Sequence, residues 1–113
     1  MKTDRPYLEH ILEETIFLLK ETRGLNFRQL VKDEVLKRAC ARSLEIIGEA
    51  VKNLSPEFKR RHDEIEWKKI AGLRDKLIHY YFGVNWDIVW DVIKNKLPEL
   101  RQTIESALEE TKS

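Results

Sequence analysis

The sequence has little of what divides, crosslinks or exports a chain. Four glycines and three prolines in 113 residues, with no Pro/Gly/Ser-rich stretch between them, leave no linker, so residues 1–113 are expected to form a single domain around one core. The only cysteine, Cys40, cannot close an internal disulfide. It falls in an apolar-periodic stretch, where a cysteine behaves as a small hydrophobe, and this suits a reducing cytoplasm. No sign of charge dominates: 21 Lys+Arg against 20 Asp+Glu give a net charge of +1. That excludes a global basic field, so any nucleic-acid contact has to come from a local patch. The longest apolar run, Ile16 to Leu19, is far short of a bilayer span, and MKTDRPYLEH has no apolar core of signal-peptide length. No membrane partner is expected. Strand-like alternation is absent as well.

What is there is helical period. Asp4 and Pro6 open a first helix whose Leu8, Ile11, Leu12, Thr15, Leu18, Leu19 and Thr22 recur at three-and-four spacing until Gly24. Leu30, Val31, Val35, Leu36, Ala39, Cys40, Ser43, Leu44, Ile47, Ala50, Val51 and Leu54 continue that period through a long second helix, with a break expected near Asp33. Ser55-Pro56 ends it, because a residue before proline disfavours the α region, and a polar connection follows. A third helix runs from about Glu66 to Tyr81 with Trp67, Ile70, Leu73 and Leu77 on its face. The last begins at an Asn85 cap and carries Trp86, Val89, Trp90, Ile93, Leu97, Leu100, Ile104 and Leu108, with Pro98 expected to kink or divide it. The fold class is therefore all-α, an up-and-down antiparallel bundle of four to five helices.

Chemistry concentrates in Leu73 to Tyr81. At about 100° per residue, Ile70, Leu73, Leu77, Tyr80 and Tyr81 form a core stripe, and Ile78 with Phe82 widen it on one side. Arg74 lands between stripe and flank. A guanidinium within an apolar face needs a partner, and Glu49 on the second helix, expected to be a buried acid, is the candidate. His79 lies on roughly the opposite side, one turn after Asp75, whose carboxylate can hold the imidazole in one tautomer. Arg74 and His79 point about 140° apart, so they do not converge in one undistorted chain. The apolar flank of Ile78 and Phe82 favours completion of the site by a second copy, hence a homodimer. His10, His62 and His79 show no ligand spacing, and neither a metal nor a cofactor is expected.

Arg74 to Tyr81 reads R-x4-H-x-Y with an acid directly after the arginine, and in this the chain resembles the HEPN superfamily, more closely its HepT-like branch. Leu44-Glu45-Ile46-Ile47-Gly48-Glu49-Ala50, the approach from Trp67 to Leu73, Phe82-Gly83-Val84, Trp90 and Leu97-Pro98 extend the likeness over nearly the whole chain. The resemblance implies a dimer in which two motifs line a shared RNA cleft. It also implies a toxin with endoribonuclease activity, restrained by a cognate minimal nucleotidyltransferase antitoxin that adenylylates the motif tyrosine. Carried over by position, Arg74 and His79 are the catalytic pair, Asp75 the polar helper and Tyr81 the modified residue. A second function implied by similar domains is a non-catalytic subunit that holds a nucleotide or substrate for a separate nucleotidyltransferase.

Residue chemistry leads to the same reaction class. RNA carries its own nucleophile in the 2′-hydroxyl, so cleavage needs proton transfer near neutrality and a cation for the phosphorane, which histidine and arginine supply without a metal. Lys59, Arg60 and Arg61, with Lys68-Lys69 beyond, form the most basic stretch and are weaker candidates for tracking an RNA backbone. Equally, they could be a solvated loop. Trp67, Trp86 and Trp90 could stack bases, but at helical spacing they read first as packing.

Overall fold

A computed structural model describes residues 4–79 and 83–112. Among them every regular element is helical: α1 (Arg5–Glu21), α2 (Phe27–Lys32), α3 (Glu34–Lys52), α4 (Pro56–Arg61), α5 (Trp67–His79), α6 (Trp86–Asp91), a π-helical turn (Val92–Lys96) and α7 (Leu97–Lys112). The last three run on without interruption, so four long helical stretches carry the fold and α2 and α4 are short additions. α3 packs between α1 and α5, while α1 also packs on α7, which gives the order α5, α3, α1, α7 across the bundle.

Buried positions follow the three-and-four spacing that makes one face of a helix apolar. They are Leu8, Ile11, Thr15 and Leu18 on α1, and Trp67, Ile70, Leu73 and Leu77 on α5. α1 turns off through Gly24, whose φ of 77° is left-handed backbone that glycine adopts without strain. Its other end differs from expectation. Asp4 occupies the cap position but makes no capping bond; its carboxylate accepts from the Ser55 backbone N–H and hydroxyl, both at 2.8 Å. The reason is that the free N–H groups at the start of α4 lie beside it, so one acid ties the start of α1 to the α3–α4 junction.

The break near Asp33 is real. Asn26 and Gln29 form a capping box on α2, and the Asp33 carboxylate accepts from Leu36 N–H at 2.9 Å to start α3 afresh. Restarting the helix resets the wheel, which is why Val35 is 80% exposed instead of lying on the apolar face. The stretch after Ser55 is no loop: Pro56 at the first helical position and the Ser55 hydroxyl, accepting from Phe58 N–H at 3.1 Å, open α4. Its Phe58 packs edge-on against Trp67, and Trp67 Nε1 donates to the His62 carbonyl at 3.0 Å. Pro98 stands at the second position of α7, and the regular α-helix is interrupted just before it, though the chain remains helical throughout. The π-helical turn just before it absorbs the missing N–H and the clash with the preceding turn, which a regular α-helix could not.

Candidate active site

α5 comes into close contact with α3 at Gly48. A Cβ built there would stand 2.5 Å from Arg74 Cβ and 3.2 Å from the Ile70 carbonyl oxygen, so only a glycine lets the two helices approach this far. Arg74 is thereby seated in a notch of α3. Its Nε lies 2.9 Å from Glu49 Oε1 and its Nη1 2.8 Å from Asp75 Oδ1. Lys52 Nζ stands 3.9 Å from the same Asp75 oxygen. Two of the five donors of a guanidinium are engaged in this way among the described residues, which leaves donors for an anion.

Glu49 is the partner of Arg74, as expected, but it is not a buried acid: its side chain is 56% exposed, against 27% for Arg74. It stands at the rim, because α3 turns its Glu45–Glu49 face towards an open cleft instead of the core. That cleft, about 230 Å³, lies between α1, α3 and α5. Ile46, Ala50 and Ile78 supply its apolar lining; Tyr7 and His10 come from α1, Arg42, Glu45 and Glu49 from α3, and Arg74 from α5. Arg42 Nη1 is 3.3 Å from Glu45 Oε1.

His79 is exposed at the far end of α5 and is not among the residues lining the cleft. Arg74, Asp75 and Glu49 are thus brought together within the chain, and the cleft they border is lined without His79. Tyr81, and Tyr80 and Phe82 beside it, lie outside the described residues. Lys59, Arg60 and Arg61 belong to α4, and none of them lines the cleft that holds Arg74. The tryptophans are packing residues: Trp67 is buried, Lys37 stands over Trp86, and Trp90 meets Phe27 edge-on with Lys94 over its ring. Burial pushes the Cys40 thiol up to about 11, so it remains a packed thiol. Among the described residues no group of three or more His, Cys, Asp or Glu side chains could hold a metal ion, and no helix is long and apolar enough to cross a membrane.

Sequence reasoning passed over two residues of this site. Gly48 carried a signal, a glycine inside a strongly periodic helix, where it usually marks a close approach. His10 carried none, since its place depends on how α1 lies across α3 and α5.

An all-α bundle with an arginine clamped by two carboxylates over an open cleft defines the class, and comparison with known proteins gives the family. Residues 11–107 match the family model described as Ribonuclease HepT-like. The chain is 56% identical over 112 residues to a protein of Caldanaerobacter subterraneus subsp. tengcongensis named "Putative RNase", covering 99% of this chain and 100% of that one. It is 42% identical over 109 residues to a "Putative RNase" of Methanocaldococcus jannaschii, covering 96% and 90% of the two chains. It is 41% identical over 104 residues to a "Probable ribonuclease HepT" of Thermococcus cleftensis, covering 92% and 94%. No solved structure matches. The chain belongs to the HepT-like ribonuclease family.

Proposed function

We propose that this chain is a metal-independent endoribonuclease and the toxin of a toxin-antitoxin pair, acting in the cytoplasm as a homodimer. The observation that carries the reading is Arg74: a guanidinium fixed by Glu49 and Asp75 at an open cleft, in a chain of a ribonuclease family. An arginine so held is pre-organised to receive a phosphate and the extra charge of a phosphorane without moving. His79 supplies proton transfer, reaching the arginine of a second copy. Exposed Ile78 and Ile88, at 44% and 40%, support a dimer that covers α5 and α6. Lys59, Arg60 and Arg61 are at most an auxiliary track for the RNA backbone.

The experiment is cleavage of RNA by the purified protein, with and without EDTA. The wild type should cut in EDTA and leave a 2′,3′-cyclic phosphate. Arg74→Ala and His79→Ala should each lose about 100-fold or more. Activity that vanishes with EDTA and returns with a divalent ion would overturn the mechanism. A chain that holds a nucleotide but leaves RNA intact would make it instead a non-catalytic binding subunit of a nucleotidyltransferase.

The regulatory half of the proposal rests on Tyr81, two residues after His79. Adenylylation of its hydroxyl by a minimal nucleotidyltransferase would add phosphate charge and bulk to the motif and so compete with RNA. Tyr81→Phe keeps the ring and removes the acceptor. The variant should remain toxic in cells and escape the partner enzyme; a partner that still silences it while modifying no other residue would show that neutralisation is by binding alone.

A further inference from the structure

Cleavage by 2′-hydroxyl attack needs two proton transfers, and the motif gives each chain one imidazole. As the 2′-oxygen forms its bond to phosphorus, a base takes the hydroxyl proton. As the bond from phosphorus to the 5′-oxygen breaks, an acid gives that oxygen a proton, leaving a 2′,3′-cyclic phosphate and a free 5′-hydroxyl. No other reactant enters.

The cleft that holds Arg74 has a histidine of its own, and it is His10 rather than His79. α1 and α5 flank α3, and His10, exposed on the α1 wall of the cleft, shares this space with the guanidinium. The polar and charged groups that line the cleft with it are Tyr7 on α1, Arg42, Glu45 and Glu49 on α3, and Arg74 on α5, with Glu14 one turn further along α1 and Glu13 turned to the groove against α7. Most of these are committed elsewhere or unsuited to moving protons near neutrality. Glu45 is paired with Arg42, Glu49 with Arg74, and Glu14 accepts from the Ser43 hydroxyl at 2.7 Å. Tyr7 offers a phenol, and Arg42 and Arg74 offer guanidiniums, which donate hydrogen bonds but do not give up a proton. Among the described lining residues, imidazole is the side-chain type suited to taking and giving protons in RNA cleavage.

We infer that His10 is a second catalytic imidazole, carrying one of the two proton transfers at the phosphate held by Arg74 while His79 of the second copy carries the other. This rests on the ribonuclease reading above. It assigns the α1 face of the cleft to the reacting phosphate and its flanking ribose, with Arg42 at the edge where the next phosphate of the strand would pass.

The test is His10→Gln, a near-isosteric amide that cannot shuttle a proton. Its side chain is exposed, so the fold should be kept, which thermal melting checks. Single-turnover cleavage of a short RNA is measured from pH 5 to 9, alongside binding of the same strand made non-cleavable by 2′-O-methylation. The wild type should give a bell-shaped profile. His10→Gln should bind the methylated strand within about twofold of the wild type, lose about 100-fold or more in rate and lose one limb of the bell. The missing limb assigns the base or the acid. Cleavage at the wild-type rate, or weaker binding with both limbs intact, would sink this inference and leave the ribonuclease reading standing. A wild type that cuts no RNA would sink both.

Discussion

The arginine of the site has a stability cost that its surroundings set. Arg74 is paired twice, but with carboxylates whose side chains are more than half exposed, 56% for Glu49 and 52% for Asp75. Ion pairs in that setting contribute about 0–1 kcal/mol, because water and salt screen them and long side chains lose freedom on pairing. Removing Arg74 therefore strands no buried charge. Arg74→Ala should unfold within about 1 kcal/mol of the wild type in denaturant titration while cleavage falls by orders of magnitude. A loss of several kcal/mol would mean that the residue holds the fold and that its catalytic role is confounded. Lysine is a poor replacement, since it keeps the charge but cannot span Glu49 and Asp75 with one rigid fork. The Arg74–Glu49 pair was legible in the sequence because a guanidinium beside an apolar face needs an acid and Glu49 on the neighbouring long helix could supply it. The exposure of Glu49 was not, because a stripe gives a direction on one helix and says nothing about where the neighbouring helix ends its cover.

Among the elements, the α3–α5 contact decides where Arg74 stands. With Gly48 set against Arg74 Cβ and the Ile70 carbonyl, an added methyl has nowhere to go: one obstacle is backbone and the other is the root of the side chain, so neither yields by a simple rotamer change. Gly48→Ala should cost about 1–3 kcal/mol by overpacking, offset in part by alanine's better helix propensity. It should also part α5 from α3 by a few tenths of an ångström or more and pull the guanidinium from Glu49. Cleavage should thus fall further than the melting temperature suggests, and the comparison with Ala41→Ser, a small change at a buried position of the same helix outside the cleft, separates packing in general from this notch. Equal loss of activity in both variants would refute the special role of Gly48.

Helix boundaries were readable to the extent that local chemistry fixed them. Gly24, Asp33 and Asn85 each act through their own backbone or side chain within three residues. What escaped depended on distant partners. Asp4 turned from capping α1 to serving Ser55, and α4 formed where polar residues suggested a loop, because Phe58 had Trp67 to pack on. The π-helical turn before Pro98 belongs to the same class. Its Lys96 reaches Glu66 at 2.9 Å, an exposed pair in which hydrogen bonding and charge hold the Glu66 carboxyl below its usual range and the Lys96 amine above its own.

For the whole molecule, the unresolved geometry of one chain becomes a prediction about two. Arg74 faces the α1–α3–α5 cleft and His79 is not among the residues that line it, and on the proposed reading the histidine of a second copy completes the site. That arrangement is testable by complementation, because in a two-fold dimer each site would borrow across the interface. Arg74→Ala and His79→Ala are each inactive alone on this reading. Unfolded together and refolded as a mixture, about half of the dimers should be mixed, and each mixed dimer has one site with Arg74 from one chain and His79 from the other, both intact. The second site of that dimer lacks both. Cleavage should therefore return to roughly a quarter of the wild-type rate, and should not return when each variant is refolded separately. A double variant, with both changes in one chain, refolded with wild type supplies the control: its mixed dimers place each intact residue opposite a missing one and should contribute nothing. Full failure of the complementary mixture, with mixed dimers verified by differently tagged chains, would place the two residues in one chain and require α5 to distort between positions 74 and 79.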